Sequence, residues 1–496
     1  MSTQTLTESV HSDAQVDVEK CEATIETQPP DPNVVDWDGP EDPENPMNWP
    51  TSRKVVAIGI VSAIMFLSPL ASTIVAPAAA NIMATFGSTN ETLGAFITSI
   101  YLLGYTFGPL VIAPLSELYG RAPLYNICNV LFVIFNIACA VASSLNSLIA
   151  FRFLAGIAAS SPQTLGGGTI ADLVPVEKRG LAMVGWILGP VLGPSCGPLI
   201  GAYLAEGKGW RWIFWVVTIV GGAVAVLTFL TMSETYGYVI LQRKTQRLQK
   251  QTGNMKLRSR LESTRTPRDL FTSSIIRPLK MLFFSPIVFL LSLYMATIYG
   301  FLYLMFTTFS RVFEGQYGFS TKSVGLVFLG SGVGSIVGLF FTAAVSDRLL
   351  AYLTKRNGGV AKPEFRIPPM ILGAFLVPVG LFLYGWTAEK KAHWFLPILG
   401  TGFLGAGMFV VLMPGMVYFV DAFTTYAASA AAASSVFRSL LGALLPLAGD
   451  SMYNALGVGW ANSVLGFISV AMLPIPVLFW MYGERIRESK MFQVRF

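Results

Sequence analysis

Two guanidinium groups, Arg152 and Arg438, stand in the middle of long apolar stretches, LIAFRFLAGIAASS and AAAASSVFRSLLGALLP. No Asp or Glu lies at matching depth; Glu117, Asp172, Asp347, Asp421 and Asp450 all fall near the ends of such stretches. An arginine stays protonated in a protein, so neither residue is itself a proton carrier. A buried guanidinium can instead hold an anion, neutralise backbone carbonyls or bias a carboxylate elsewhere. Glu117 with Arg121, and Asp347 with Arg348, place a carboxylate near a guanidinium at the ends of apolar stretches, where they can pair with a neighbouring loop or helix end. Such a pair can hold one side of a molecule shut and break when it opens.

Other chemistry is not encoded. GSGVGSIVG, residues 330–338, is glycine-rich but lies in an apolar stretch with no flanking strand and no P-loop lysine, and no Walker sequence occurs elsewhere. The two histidines, His11 and His393, lie outside the apolar stretches, and no metal-ligand cluster or nucleophile elbow is present. The expectation is a protein that is not an enzyme and needs neither metal nor cofactor.

The elements that position these residues follow from composition. The chain has 496 residues, 53% hydrophobic and 12% charged, whereas a soluble domain carries about 25% charged residues. Apolar windows of about 20 residues, enough to cross a bilayer core, fall at 55–79, 93–115, 123–143, 147–171, 181–204, 211–232, 286–310, 323–346, 368–387, 394–418, 424–448 and 459–482. The predicted fold is an all-α polytopic membrane protein of twelve transmembrane helices in two six-helix bundles. The divisions are an acidic, unstructured tail (1–53), a first bundle (54–232), a basic central loop (233–285) with a helix along the inner leaflet, a second bundle (286–482) and a short tail (483–496). Lys and Arg gather in the tails, the central loop and the even-to-odd loops, which puts both termini in the cytosol. The basic loop reads as a positive-inside segment against membrane lipid rather than a nucleic-acid site. A sequon at Asn90 falls on the first external loop, too close to the membrane for expected glycosylation.

The fifth window, LGPVLGPSCGPLIG, repeats glycine and proline at helical spacing. Gly185, Gly189, Gly193, Gly197 and Gly201 form one bare ridge where another helix can approach closely, while Pro190, Pro194 and Pro198 remove backbone donors and fix a bend. Such a helix is expected to seal the two bundles in an inward-closed state. The halves also resemble each other: Gly108 stands eight residues before Ser116-Glu117 and Gly338 eight before Ser346-Asp347, at the same ends of spans two and eight. A six-span unit used twice is the pattern of a transporter with its substrate site between the repeats. Ser72, Thr73, Tyr101, Gln163, Tyr299, Tyr303, Met416 and Arg438 are the candidate lining of that cavity.

These motifs carry a resemblance to the major facilitator superfamily, and within it to the fungal twelve-span drug:proton antiporters. Residues 108–121 resemble the family's loop-two motif, with Glu117 at the acidic position, Gly120 and Arg121 matching, and Ala122 replacing the usual second basic residue. Span four resembles the motif built on a membrane-embedded arginine, here Arg152. Gly185, Gly189, Pro190, Gly193, Pro194 and Gly197 resemble the antiporter motif, with Pro198 where a second glycine is common. ENPMNWP and DAFTTYAASAAAASSVFRSLLGALLP resemble the fungal subgroup.

The resemblance implies a monomeric, proton-coupled exporter in the plasma membrane, moving a small amphiphilic molecule such as a xenobiotic, fungicide, toxin or secondary metabolite by alternating access. It implies a proton-coupling role for Arg152. An organic-acid exporter, or an uncoupled facilitator or importer, are the alternatives on the same fold. Two deep arginines without a deep carboxylate lean the cavity towards anionic or neutral cargo.

Overall fold

The structure, a computed structural model, describes residues 33–262 and 266–488. It divides into a large unit, Trp49–Tyr236 with Arg265–Phe496, and a small unit, Met1–Asn48 with Gly237–Thr264.

The large unit is helical. Span one is Thr51–Thr73, continued by a 3-10 turn at Ala76–Ala78 and a short helix Ala79–Thr85. Spans two and three are Glu91–Tyr119 and Arg121–Ala140. Span four is broken into Leu145–Ala159 and Ser161–Leu173, because Pro162 has no N–H to continue the ladder across Ser160. Spans five and six are Val176–Lys208 and Arg211–Thr231. A linker helix Pro267–Phe284 leads into span seven, Pro286–Gly315, followed by Thr321–Arg356, Pro368–Glu389 and Phe395–Ala422 as spans eight to ten. Span eleven starts at Ala427–Leu444 and runs on through Leu445–Ala448 to Gly457, whose φ of 75° turns the chain into span twelve. The Glu389 carboxylate closes that turn, accepting the Val458 and Gly459 N–H groups at 2.8 and 3.1 Å.

Length and apolarity alone select 10 membrane-crossing helices among the described residues. The broken fourth span escapes that test and the eleventh and twelfth merge across Gly457. Twelve spans result, as the hydropathy pattern predicts.

The halves pack by one rule. Span one lies on five, two on four and three on six; seven lies on eleven, eight on ten and nine on twelve. Small residues make these contacts close. A Cβ on Gly104 of span two would stand 2.5 Å from the Phe153 carbonyl of span four. Gly334 and Gly338 of span eight meet the carbonyls of Gly402 and Ala406 on span ten in the same manner. The glycine run 330–338 is therefore a helix-packing ridge.

The small unit departs from the expected unstructured tail. Val34–Val35 pairs in parallel with Arg258–Ser259, and the helix Gly237–Thr252 carries Lys244 between Asp38 (2.7 Å) and Asp42 (3.3 Å). Arg247 reaches Glu44 at 3.0 Å, and Arg260 pairs with Asp36. Opposite charge is the reason: the acidic segment is the counter-ion of the basic loop. The expected tail from 1 to 32 lies outside the described residues.

Candidate functional site

Arg152 is 2% exposed and every bond it makes is to a carbonyl. Its Nε donates to Ile97 (2.7 Å), Nη1 to Ala71 (3.1 Å) and Nη2 to Ser72 (2.8 Å) and Thr98 (3.4 Å). Two of the acceptors, Ile97 and Thr98, are carbonyls of span two; span one explains the other two, Ala71 and Ser72. Its α-helix stops at Thr73, so the carbonyls of the last turn lose their intrahelical donors, and a cation at a helix C-terminus is favoured by the backbone dipoles. The ring of Tyr101 lies under the guanidinium at 5.1 Å. The break in span four is healed likewise, by the Ser68 hydroxyl donating to the Ala159 carbonyl at 2.5 Å.

The proline-rich helix packs on span one. An added Cβ would lie 2.5 Å from the Met65 carbonyl at Gly189, 2.9 Å from the Phe66 carbonyl at Gly193 and 2.6 Å from the Leu70 carbonyl at Gly197. Pro198 cannot donate to the Pro194 carbonyl; Thr73 Oγ1 does so instead, at 3.1 Å. The glycine ridge thus joins two helices of the first half. A different face of span five, around Ser195, Pro198, Leu199 and Ala202, meets Gly325 and Gly332 of span eight in the second half.

That junction belongs to a seal at one end of the bundle, the end marked by the turn at Gly209. Glu206 of span five holds Lys322 of span eight at 3.1 Å. Glu91, heading span two, accepts from Asn454 at 3.0 Å and lies 3.7 Å from Arg311, which also holds Asp450 at 3.3 Å. Deeper in, Ser72 and Tyr303 share a hydrogen bond of 3.0 Å, and Leu102, Tyr303 and Ala443 form an apolar plug with Tyr299 against it.

At the opposite end, marked by the turn at Gly120, the ion pairs run to neighbouring helix ends. Arg121 bonds Asp172 at 2.7 Å, and its N–H donates to Glu234 at 2.9 Å; no ion pair forms on Glu117 among the described residues. The φ of 99° at Gly120 ends span two between Glu117 and Arg121, and Arg121 heads span three beside the end of span four. In the second half Asp347 pairs with Arg366 (2.5 Å), not with Arg348, and Arg366 also reaches Asp421 (3.2 Å). Adjacent residues on a helix point about 100° apart, so Asp347 and Arg348 face different neighbours. Arg366 is therefore the counterpart of Arg121, and Asp421 of Asp172. Both pairs lie within one half.

The expected cavity lining separates into two groups. Tyr101, Thr73, Ser72 and Tyr303 are buried, at 0%, 0%, 1% and 1% exposure, and hold helices together; Tyr101 donates to the Ser68 carbonyl at 3.0 Å. Gln163, Tyr299, Met416 and Arg438 are partly exposed. Polar type alone does not distinguish the groups, because a hydroxyl deep in a span bonds a freed carbonyl as readily as it lines a cavity. Sequence reasoning missed Arg366, the Glu206–Lys322 pair and the Glu91–Arg311 contact; opposite charges at the ends of spans that must meet were the available signal. Asn90, the sequon residue, caps span two by accepting the Thr92 N–H at 3.1 Å.

Comparison with known proteins agrees with this architecture. The Major Facilitator Superfamily profile matches residues 61–446. The MFS-type transporter penM of Penicillium rubens is 57% identical over 466 residues, 94% of this chain and 92% of that one. The efflux pump radE of Floropilus chiversii is 49% identical over 466 residues, 94% of this chain and 87% of that one. Among solved structures, the partially occluded inward open conformation of the xylose transporter XylE from E. coli matches with a TM-score of 0.65 at 16% identity, over 87% of this chain and 98% of that one. With two six-span halves packed by one rule and sealed against each other at one end, the chain belongs to the major facilitator superfamily of membrane transporters.

Proposed function

We propose that this transporter exports small amphiphilic metabolites or xenobiotics by alternating access, driven by the proton gradient, from a plasma membrane in which both termini face the cytosol. The observation that carries the reading is the one-sided seal. Glu206–Lys322, Glu91–Asn454 and Ser72–Tyr303 tie one half to the other at or towards the Gly209 end. The ion pairs of Arg121 and Arg366 at the Gly120 end stay within a half. With the basic loops on the cytosolic side, this is a cytosol-facing state, ready to load cargo. The name of the radE relative supports the outward direction.

Arg152, saturated by carbonyls, keeps the break in span one in place and modulates proton coupling without carrying a proton. The reading is tested by proton flux in proteoliposomes challenged with anionic, neutral and cationic amphiphiles. Cargo movement against an opposing proton flux is expected. Movement down the cargo gradient with no proton signal would make the protein a facilitator.

A further inference from the structure

The two deep arginines are not equivalent. Arg152 meets four carbonyls, whereas Arg438 has no hydrogen-bond or ion-pair partner among the described residues, and its Nε is shut off from solvent with no acceptor. Its one described contact is the Tyr299 ring, 5.2 Å from Cζ. A guanidinium held inside a membrane protein without an acceptor is costly, and nothing in the packing of the two halves uses it.

Its position is specific. Gly442, one helical turn further along span eleven, is in contact with Leu102 of span two and Tyr299 of span seven, and Ala443 joins the plug with Leu102 and Tyr303. Arg438 therefore lies one turn from the seal on its Gly120 side, between the halves, and both it and Tyr299 are partly exposed. A cation with free donors thus stands beside the Tyr299 ring, one helical turn from the plug that joins the halves.

We propose that Arg438 binds the anionic oxygen of the transported molecule, so that the cargo is an organic acid with an apolar or aromatic body, carried as a carboxylate or an equally acidic hydroxyl. The assignment rests on the export reading above and names its substrate class. Tyr299 keeps the guanidinium in place by its ring face, and with Leu102 and Ala443 of the plug it offers the apolar surface.

The test uses the full-length protein in nanodiscs with two probe pairs, naphthalene-1-acetate and 1-pyrenebutanoate, each against its own methyl ester. Wild type is expected to bind each acid at least about tenfold more tightly than its ester, the size of one charge-assisted bond. Arg438→Gln should bring the acid within about twofold of the ester while ester affinity holds, which also shows that the variant is folded; Arg438→Lys should retain part of the preference. Equal binding of acid and ester by wild type, or a preference that survives Arg438→Gln, overturns the assignment and leaves export intact. If neither member of either pair binds to wild type, the amphiphile reading falls and the assignment falls with it.

Discussion

Ser72 joins Arg152 to Tyr303: its carbonyl accepts from the arginine at 2.8 Å while its hydroxyl shares a hydrogen bond with the tyrosine at 3.0 Å. One residue therefore reports the state of the first half to the second. Tyr303→Phe removes the cross-half bond and keeps the ring. Loss of one buried bond is worth about 1 kcal/mol, so the equilibrium should move about fivefold towards the state open at the Gly209 end. Spin-label distances between spans five and eight measure that shift; an unchanged distribution counts against the latch.

Arg152→Gln leaves the carbonyls of Ala71 and Ser72, at the end of span one, without their donor. An orphaned buried acceptor costs about 1–3 kcal/mol, and a loss of that order is expected in chemical unfolding of the purified protein. Arg152→Lys should recover only part, since an ammonium lacks the fork that reaches spans one and two together. Wild-type stability in the glutamine variant would contradict the carbonyl-clamp role.

Glu206 and Lys322 are both solvent-accessible, so water screens their pair and it adds little to stability in isolation. Its effect is on the state, not on the fold. Reversing one charge, Glu206→Lys, should speed opening at that end and leave the melting temperature close to that of wild type. The double reversal with Lys322→Glu should restore the wild-type rate, and stopped-flow fluorescence reads both.

Arg366→Ala should slow turnover at least about tenfold, as expected when two charge-assisted bonds, to Asp347 and Asp421, are lost together. Arg348→Ala should be close to wild type. Transport rates in proteoliposomes separate the two; the opposite ranking would count against the Arg366 pairs as the ones that matter for turnover.

The small unit has a pH signature. Burial pushes the Asp42 carboxyl up, but the N–H groups of Asp38 and Glu44 and the Lys244 ammonium outweigh it and hold the group below its ordinary 3.8. Burial likewise pulls Lys244 down, and Asp38 with Asp42 outweigh that and hold it above its ordinary 10.5. The lowered acid contributes stability above pH 3.8 that is lost as pH falls through its folded value; the raised base contributes below pH 10.5 and is lost as pH rises through its own. Protease resistance of residues 33–48 should therefore be flat between those limits and fall in acid. Lys244→Ala should remove it throughout.

Most of the architecture was legible because bilayer thickness imposes a length on every span and lipid imposes a composition. The paired glycines Gly108 and Gly338 were equally legible, since only small residues allow backbones so close. The ion pairs were not. Arg121 finds Asp172 and Asp347 finds Arg366 through helix ends distant in sequence, so the sequence pointed to a neighbouring helix end without naming the partner. Nor could composition separate Tyr101, which holds a carbonyl inside one half, from Tyr299, which lies over Arg438 against the plug. The order of the segment from 33 to 48 was hidden for the same reason: its partners lie beyond six spans.

That last pairing fixes an order of assembly. Val34 and Val35 are synthesised early, yet the strand that receives them, Arg258–Ser259, is made only after the sixth span. At about 5–20 residues per second, the ribosome adds the intervening chain over tens of seconds, during which the acidic segment has no counter-ion. Closure of the small unit is thus a late event in biosynthesis, and its formation marks a chain whose first half has already been made.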